Sequence, residues 1–126
     1  MTPTEPNPQS APVRRFRDPL YKPLAENLGE IRANIDGLDR AIVQLLAERA
    51  AYVKDATRFK LDPHQVAAPA RQAEVFAKVR RLADEFGAPP EVIEAGYRAL
   101  VAGFVANEHL HFSMTDSIPP APERKP

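Results

Sequence analysis

From Leu28 onward, apolar side chains recur at alternating spacings of three and four: Leu28, Ile31, Ile35, Leu38, Ile42, Leu45, then Arg49, then Tyr52, Ala56 and Phe59. This spacing lines one face of a continuous helix and matches the seam of a heptad repeat. It predicts a first helix from about Pro23 to Lys60, closed by Asp62-Pro63. At about 1.5 Å per residue such a helix is a rod about 57 Å long. A domain of roughly ninety residues cannot enclose that rod, so the seam is expected to pack against a second chain.

The pattern continues in two further helices. A loop spans Leu61 to Ala70, and a second helix is expected from Arg71 to Gly87, with Val75, Val79, Leu82, Ala83 and Phe86 on its apolar face. Gly87 suits a left-handed C-terminal cap. Pro89 and Pro90 then open a third helix that carries Val92, Ile93, Tyr97, Leu100, Val101, Phe104, Val105 and Leu110 and ends near Phe112. No stretch alternates with the period of a strand. The expected fold is all-α, with three helices, assembled as a dimer through the long first helix.

Composition then sets the limits of the domain. Of 14 prolines, four (Pro63, Pro69, Pro89, Pro90) fall between helical segments, and the rest lie at Pro23 or earlier or at Pro119 or later. Residues 1–23 and 113–126 are therefore expected to be disordered Pro-rich tails around a helical domain at 24–112. The 17 basic and 17 acidic residues balance, which gives no global attraction to nucleic acid or membrane. Arg14, Arg15 and Arg17 form a small basic cluster within the first tail, where a solvated tail is the simpler account. The absence of cysteine excludes disulfides and thiolate chemistry. With no apolar leader and no run long enough to span a bilayer, the expected location is cytoplasmic.

The charged residues on inward faces carry the candidate chemistry. Arg49 interrupts the seam, and its guanidinium cannot shed its charge, so an anion should meet it. Lys60 lies eleven residues further on, almost three turns, with its Cα about 16 Å away on nearly the same side. Arg32, beside the seam and about 25 Å from Arg49, could reach that neighbourhood only from the other chain of an antiparallel dimer. Glu108 sits on the apolar stripe of the third helix, where a carboxylate either pairs with a cation or stays protonated. Arg71 and Gln72 open the second helix. Each residue also has a simpler account: an Arg49–Glu108 salt bridge, solvated Arg32 and Arg71, a helix-terminal Lys60, and Gln72 as a first-turn polar residue. His64, His109 and His111 show no metal-ligand spacing.

Together the run Ile31-Arg32-x-x-Ile35-Asp36-x-Leu38-Asp39-x-x-Ile42-Val43-x-Leu45-Leu46-x-x-Arg49, with Lys60 and Arg71 beyond it, resembles the all-helical chorismate mutase class. The runs Tyr52-Val53-Lys54-x-Ala56-x-Arg58-Phe59-Lys60 and Val66-Ala67-Ala68-Pro69-x-Arg71 look like its salicylate-forming isochorismate pyruvate lyase branch. The resemblance covers about Leu28 to Phe112. It implies an intertwined homodimer with two equivalent sites, each completed by Arg32 of the other subunit, and neither cofactor nor metal. Arg32 and Arg49 would hold the two carboxylates of a dicarboxylate substrate. Lys60 and Glu108 would meet its ether oxygen, and Arg71 would help close the site.

Two positions depart from the pattern of dedicated mutases. Ala68 and Gln72 stand where such enzymes often carry acidic residues for the ring hydroxyl, and only Gln72 can still hydrogen-bond. The first expectation is chorismate mutase, with isochorismate pyruvate lyase as the alternative. A non-catalytic helical dimer is the reading from a different class, and five inward-facing charged residues weigh against it.

Overall fold

The computed structural model describes residues 5–119. Its ordered elements are helical: α1 at Leu28–Ala56, a 3-10 turn at Thr57–Phe59, α2 at Pro63–Ala67, α3 at Pro69–Phe86 and α4 at Pro90–Phe112. No strand occurs among the described residues, in agreement with the all-α expectation. By contact the chain divides into two compact units, Met1–Glu48 and Arg49–Pro126.

In the first unit α1 begins at Leu28, later than the expected Pro23. The reason is a cap. Asn27 Oδ1 accepts the Glu30 backbone N–H at 2.9 Å, while the Glu30 carboxylate takes the Glu26 N–H at 3.0 Å. Two N–H groups that the helix cannot satisfy are thereby satisfied, which fixes the first turn. The Pro8 carbonyl oxygen receives the Gly29 N–H at 3.0 Å, which ties the preceding segment to that turn. Ile35, Leu38, Ile42 and Leu45 of the seam are 48 %, 63 %, 51 % and 62 % exposed, and α1 buries no residue.

In the second unit α1 ends at Ala56, four residues short of the expected Lys60. The chain tightens into the 3-10 turn and then becomes extended at Lys60 (φ −105°, ψ 135°). The observed helix has 29 residues, so the rod is about 44 Å long. The expected loop at Leu61–Ala70 contains the one-turn helix α2. Asp62 caps it by accepting the Gln65 N–H at 2.9 Å, and Pro63 occupies the first turn, where its missing N–H costs nothing. Helix α3 likewise starts on a proline, Pro69, two residues before the expected Arg71.

Helices α3 and α4 form a hairpin. Gly87 adopts the left-handed conformation (φ 76°) that closes α3, and the Ala88 N–H returns to the Ala83 carbonyl at 2.8 Å. Glu94 of α4 pairs with Arg80 of α3 at 3.3 Å and with Arg98 at 3.0 Å. Among the described residues the buried apolar side chains are few and small: Val66 from α2, Val79 and Ala83 from α3, and Val101 from α4. They are joined in the interior by two polar side chains, Thr57 and Glu108. No helix among the described residues is long and apolar enough to cross a membrane.

Candidate active site

Where α1 ends, α2 passes and α4 runs alongside, the second unit forms a half-open cavity of about 310 Å³, at the small end of the range for ligand sites. Five of the six residues singled out from the sequence line it: Arg49, Lys60, Arg71, Gln72 and Glu108. Val53, Val66, Val75, Val101 and Phe104 supply the apolar walls. Arg32, the sixth, belongs to the first unit, where its guanidinium lies 3.8 Å from a Glu5 carboxylate oxygen, both side chains well exposed.

Arg49 is half-buried, and two aromatic rings flank its guanidinium. The ring centroid of Phe104 is 5.5 Å away and that of Tyr97 is 5.8 Å away. Ring faces attract a cation but do not neutralise it, so they orient Arg49 while leaving its hydrogen-bond donors free for an anion. No ion pair joins Arg49 to Glu108 among the described residues, so the salt-bridge account of this seam arginine fails.

Glu108 is 7 % exposed, and its Oε2 is buried without a hydrogen-bond partner. Loss of hydration penalises the charged form, and this burial holds its carboxyl above the ordinary 4.5. Lys60, His109, Arg49 and His111 pull in the opposite direction and only partly offset the burial. A protonated Glu108 offers an O–H donor at the cavity wall, beside two fixed cations.

Lys60 is not a freely solvated helix-terminal lysine. Its ammonium donates to the Gln65 carbonyl oxygen at 3.0 Å, so the α2 segment holds it at the cavity. Gln72 is likewise committed: its Nε2 donates to the Ala67 carbonyl oxygen at 2.6 Å, which leaves Oε1 and one side-chain N–H free. Arg71 stands exposed on the rim, in the first turn of α3. Among the described residues no group of His, Cys, Asp or Glu is placed to hold a metal ion.

Three participants were not singled out from the sequence: Gln65, and Tyr97 and Phe104 in their role beside Arg49. Asp62-Pro63-x-Gln65 has the form of a capping motif and could have signalled that Lys60 is followed by a built turn. The aromatic pair gave no such signal, because its contact with Arg49 depends on how α4 packs.

Comparison with known proteins agrees with the all-helical fold. The family model described as chorismate mutase type II matches residues 31–109. An isochorismate pyruvate lyase of Pseudomonas aeruginosa is 33 % identical over 88 residues, which cover 70 % of this chain and 87 % of that protein. The matched region contains α2, α3 and nearly all of α1 and α4, and with them every residue lining the cavity. The chain belongs to the type II chorismate mutase family.

Proposed function

We propose that this chain is an enzyme that breaks the enolpyruvyl ether C–O bond of a cyclohexadiene dicarboxylate, with chorismate, rearranged to prephenate, as the first substrate. One observation carries the reading: two cations, Arg49 and Lys60, and a buried carboxyl with an unpartnered oxygen, Glu108, line the same small cavity. In the rearrangement the ether C–O bond breaks ahead of C–C bond formation, so negative charge gathers on the ether oxygen. The Lys60 ammonium and a protonated Glu108 are donors suited to that charge, and they act in a partly dehydrated site where such donors are strongest. Arg49, with Arg32 supplied by the other subunit of a homodimer, clamps the two carboxylates and selects the folded reactive conformer. Product and substrate are isomers, so no co-reactant is needed. Arg71 closes the rim, and the free Gln72 Oε1 can accept a hydrogen bond from the ring hydroxyl.

A second reading is isochorismate pyruvate lyase, favoured by the identity of the Pseudomonas aeruginosa relative. There the same C–O bond breaks while a ring hydrogen moves to the enolpyruvyl methylene carbon, giving salicylate and pyruvate. The same cations serve both reactions because both develop charge on the same oxygen. The homodimer is supported by the exposed seam of α1, an apolar stripe too long to be left in water.

Incubation of the purified chain with chorismate and with isochorismate, followed by assay of prephenate, salicylate and pyruvate, separates the readings. Prephenate from chorismate supports the first and salicylate with pyruvate the second. Neither product sinks both. Arg49→Ala should lower kcat/KM by about 10²-fold or more, the loss of a charge-assisted carboxylate contact. Turnover unaffected by that change would overturn the site.

A further inference from the structure

Helix α2 is only five residues long, yet three hydrogen bonds converge on its third residue, Gln65. Its N–H donates to Asp62 Oδ1 at 2.9 Å, its side-chain Oε1 accepts the Leu61 N–H at 2.7 Å, and its carbonyl oxygen accepts Lys60 Nζ at 3.0 Å. The first two bonds fix the turn, and the third reaches into the cavity that Lys60 lines.

The covalent chemistry of the chain explains why that carbonyl is free. In a continuing helix the Gln65 oxygen would receive the N–H of the residue four positions on. That residue is Pro69, which has no N–H. The neighbouring Ala68 N–H is already given to the His64 carbonyl at 3.0 Å. Gln65 is therefore left with an orphaned acceptor at the end of a short helix, and the ammonium five residues earlier satisfies it.

We propose that Gln65 is a positioning residue for Lys60: its main-chain carbonyl holds the ammonium at the cavity wall, and its side chain holds that carbonyl in place through Leu61. The inference rests on the reading of Lys60 as the residue that meets the ether oxygen. An ammonium has three N–H donors, so one spent on Gln65 leaves two for substrate. A long, flexible side chain otherwise loses much rotamer freedom when it is fixed, and here that loss is incurred during folding rather than in the reaction. Glutamine suits the position because only its Oε1 acceptor is needed, and that acceptor survives in glutamate but not in alanine.

The test uses the full chain with Gln65→Ala and Gln65→Glu. Steady-state turnover of chorismate and isochorismate is measured together with the lysine Nζ resonances in 1H–15N spectra at low temperature. Gln65→Ala is expected to lower kcat about tenfold while KM stays within about twofold, since the two arginines still bind the carboxylates. The Lys60 Nζ signal should lose its protection from exchange, and Gln65→Glu should restore both the rate and the signal. A wild-type kcat and an unchanged Lys60 signal in Gln65→Ala overturn the proposal, as does a Gln65→Glu variant as impaired as the alanine. Full turnover by Lys60→Met would instead overturn the catalytic reading of Lys60. Should the wild type turn over neither substrate, the Nζ spectra still decide whether Gln65 holds Lys60.

Discussion

The Gln72 side-chain amide donates to the Ala67 carbonyl oxygen over 2.6 Å and so ties the first turn of α3 to the last residue of α2. A second bond, from the Gln72 backbone N–H to the Ala68 carbonyl at 3.0 Å, closes the same junction. Gln72 therefore grips the backbone with both its main-chain and side-chain nitrogens while it lines the cavity. Gln72→Glu keeps the shape but replaces the donor with a second acceptor facing a carbonyl. The expected outcome is a destabilisation of about 1–2 kcal/mol from the broken part-buried bond, seen as faster amide exchange across residues 64–72. Gln72→Leu should loosen the same residues. Unchanged exchange in both variants would remove Gln72 from the junction.

The junction also stores backbone strain. Ala68 has φ 45° and ψ 63°, the one non-glycine residue with positive φ among the described residues, and it lines the cavity. The left-handed conformation costs a residue with a Cβ about 1–2 kcal/mol. It is held there because α2 must stop and α3 must start in a new direction within a single residue. Ala68→Gly removes the clash and loses about 0.4–1 kcal/mol to the greater freedom of the unfolded chain. The net gain should be about 0.5–1 kcal/mol, a rise in Tm of about 3–6 °C by calorimetry. Gly87→Ala, at φ 76° in the other left-handed junction, should lower Tm by a similar amount. A fall in Tm for Ala68→Gly would show that the alanine methyl contributes packing worth more than the strain.

Periodicity made the three long helices legible, because each keeps an apolar face over several turns and the last two are bounded by Gly87, by Pro89-Pro90 and near Phe112. Chemistry made most of the site legible, because Arg49 and Glu108 are charged where apolar residues belong. What periodicity could not give were the ends of α1. These are set by Asn27 reaching Glu30 and by the 3-10 turn before Lys60, local hydrogen bonds that leave no periodic trace. Helix α2 was missed for a related reason: one turn is too short to display a period. The Arg49–Glu108 alternative could be decided only by three-dimensional packing, which puts Tyr97 and Phe104 against Arg49 and leaves Glu108 Oε2 without a partner.

Burial of Glu108 has a signed consequence for pH. Its carboxyl titrates above 4.5 in the folded chain, so between that value and the raised one the native state keeps a proton that the unfolded state releases. Folding stability contributed by this group is complete below pH 4.5 and falls as pH rises through the raised pKa. Activity should follow the same direction, since only the protonated carboxyl can donate to the ether oxygen. Glu108→Gln supplies a permanent donor, and its kcat/KM should no longer fall over that window. Glu108→Ala should lose activity at every pH. A wild-type profile that is flat from mildly acidic to mildly alkaline pH would show that the proton on Glu108 takes no part in turnover.

A shared site in a dimer makes a prediction that no single-chain site can meet. If each site takes Arg49 from one chain and Arg32 from the other, Arg32→Ala and Arg49→Ala homodimers lack one cation in both sites and should be inactive. When the two variants are unfolded, mixed in equal amounts and refolded, about half of the dimers are mixed, and each mixed dimer has one intact site and one doubly damaged site. About a quarter of all sites, and so about a quarter of wild-type activity, should return. A site built within one chain gives no recovery, because no exchange of partners can place both arginines on the same chain. Leu38→Glu supplies the control. Leu38 is 63 % exposed on α1, so in a monomer the change should cost less than about 0.5 kcal/mol. In a seam between chains it buries a charge, and the variant should sediment as a monomer and lose activity.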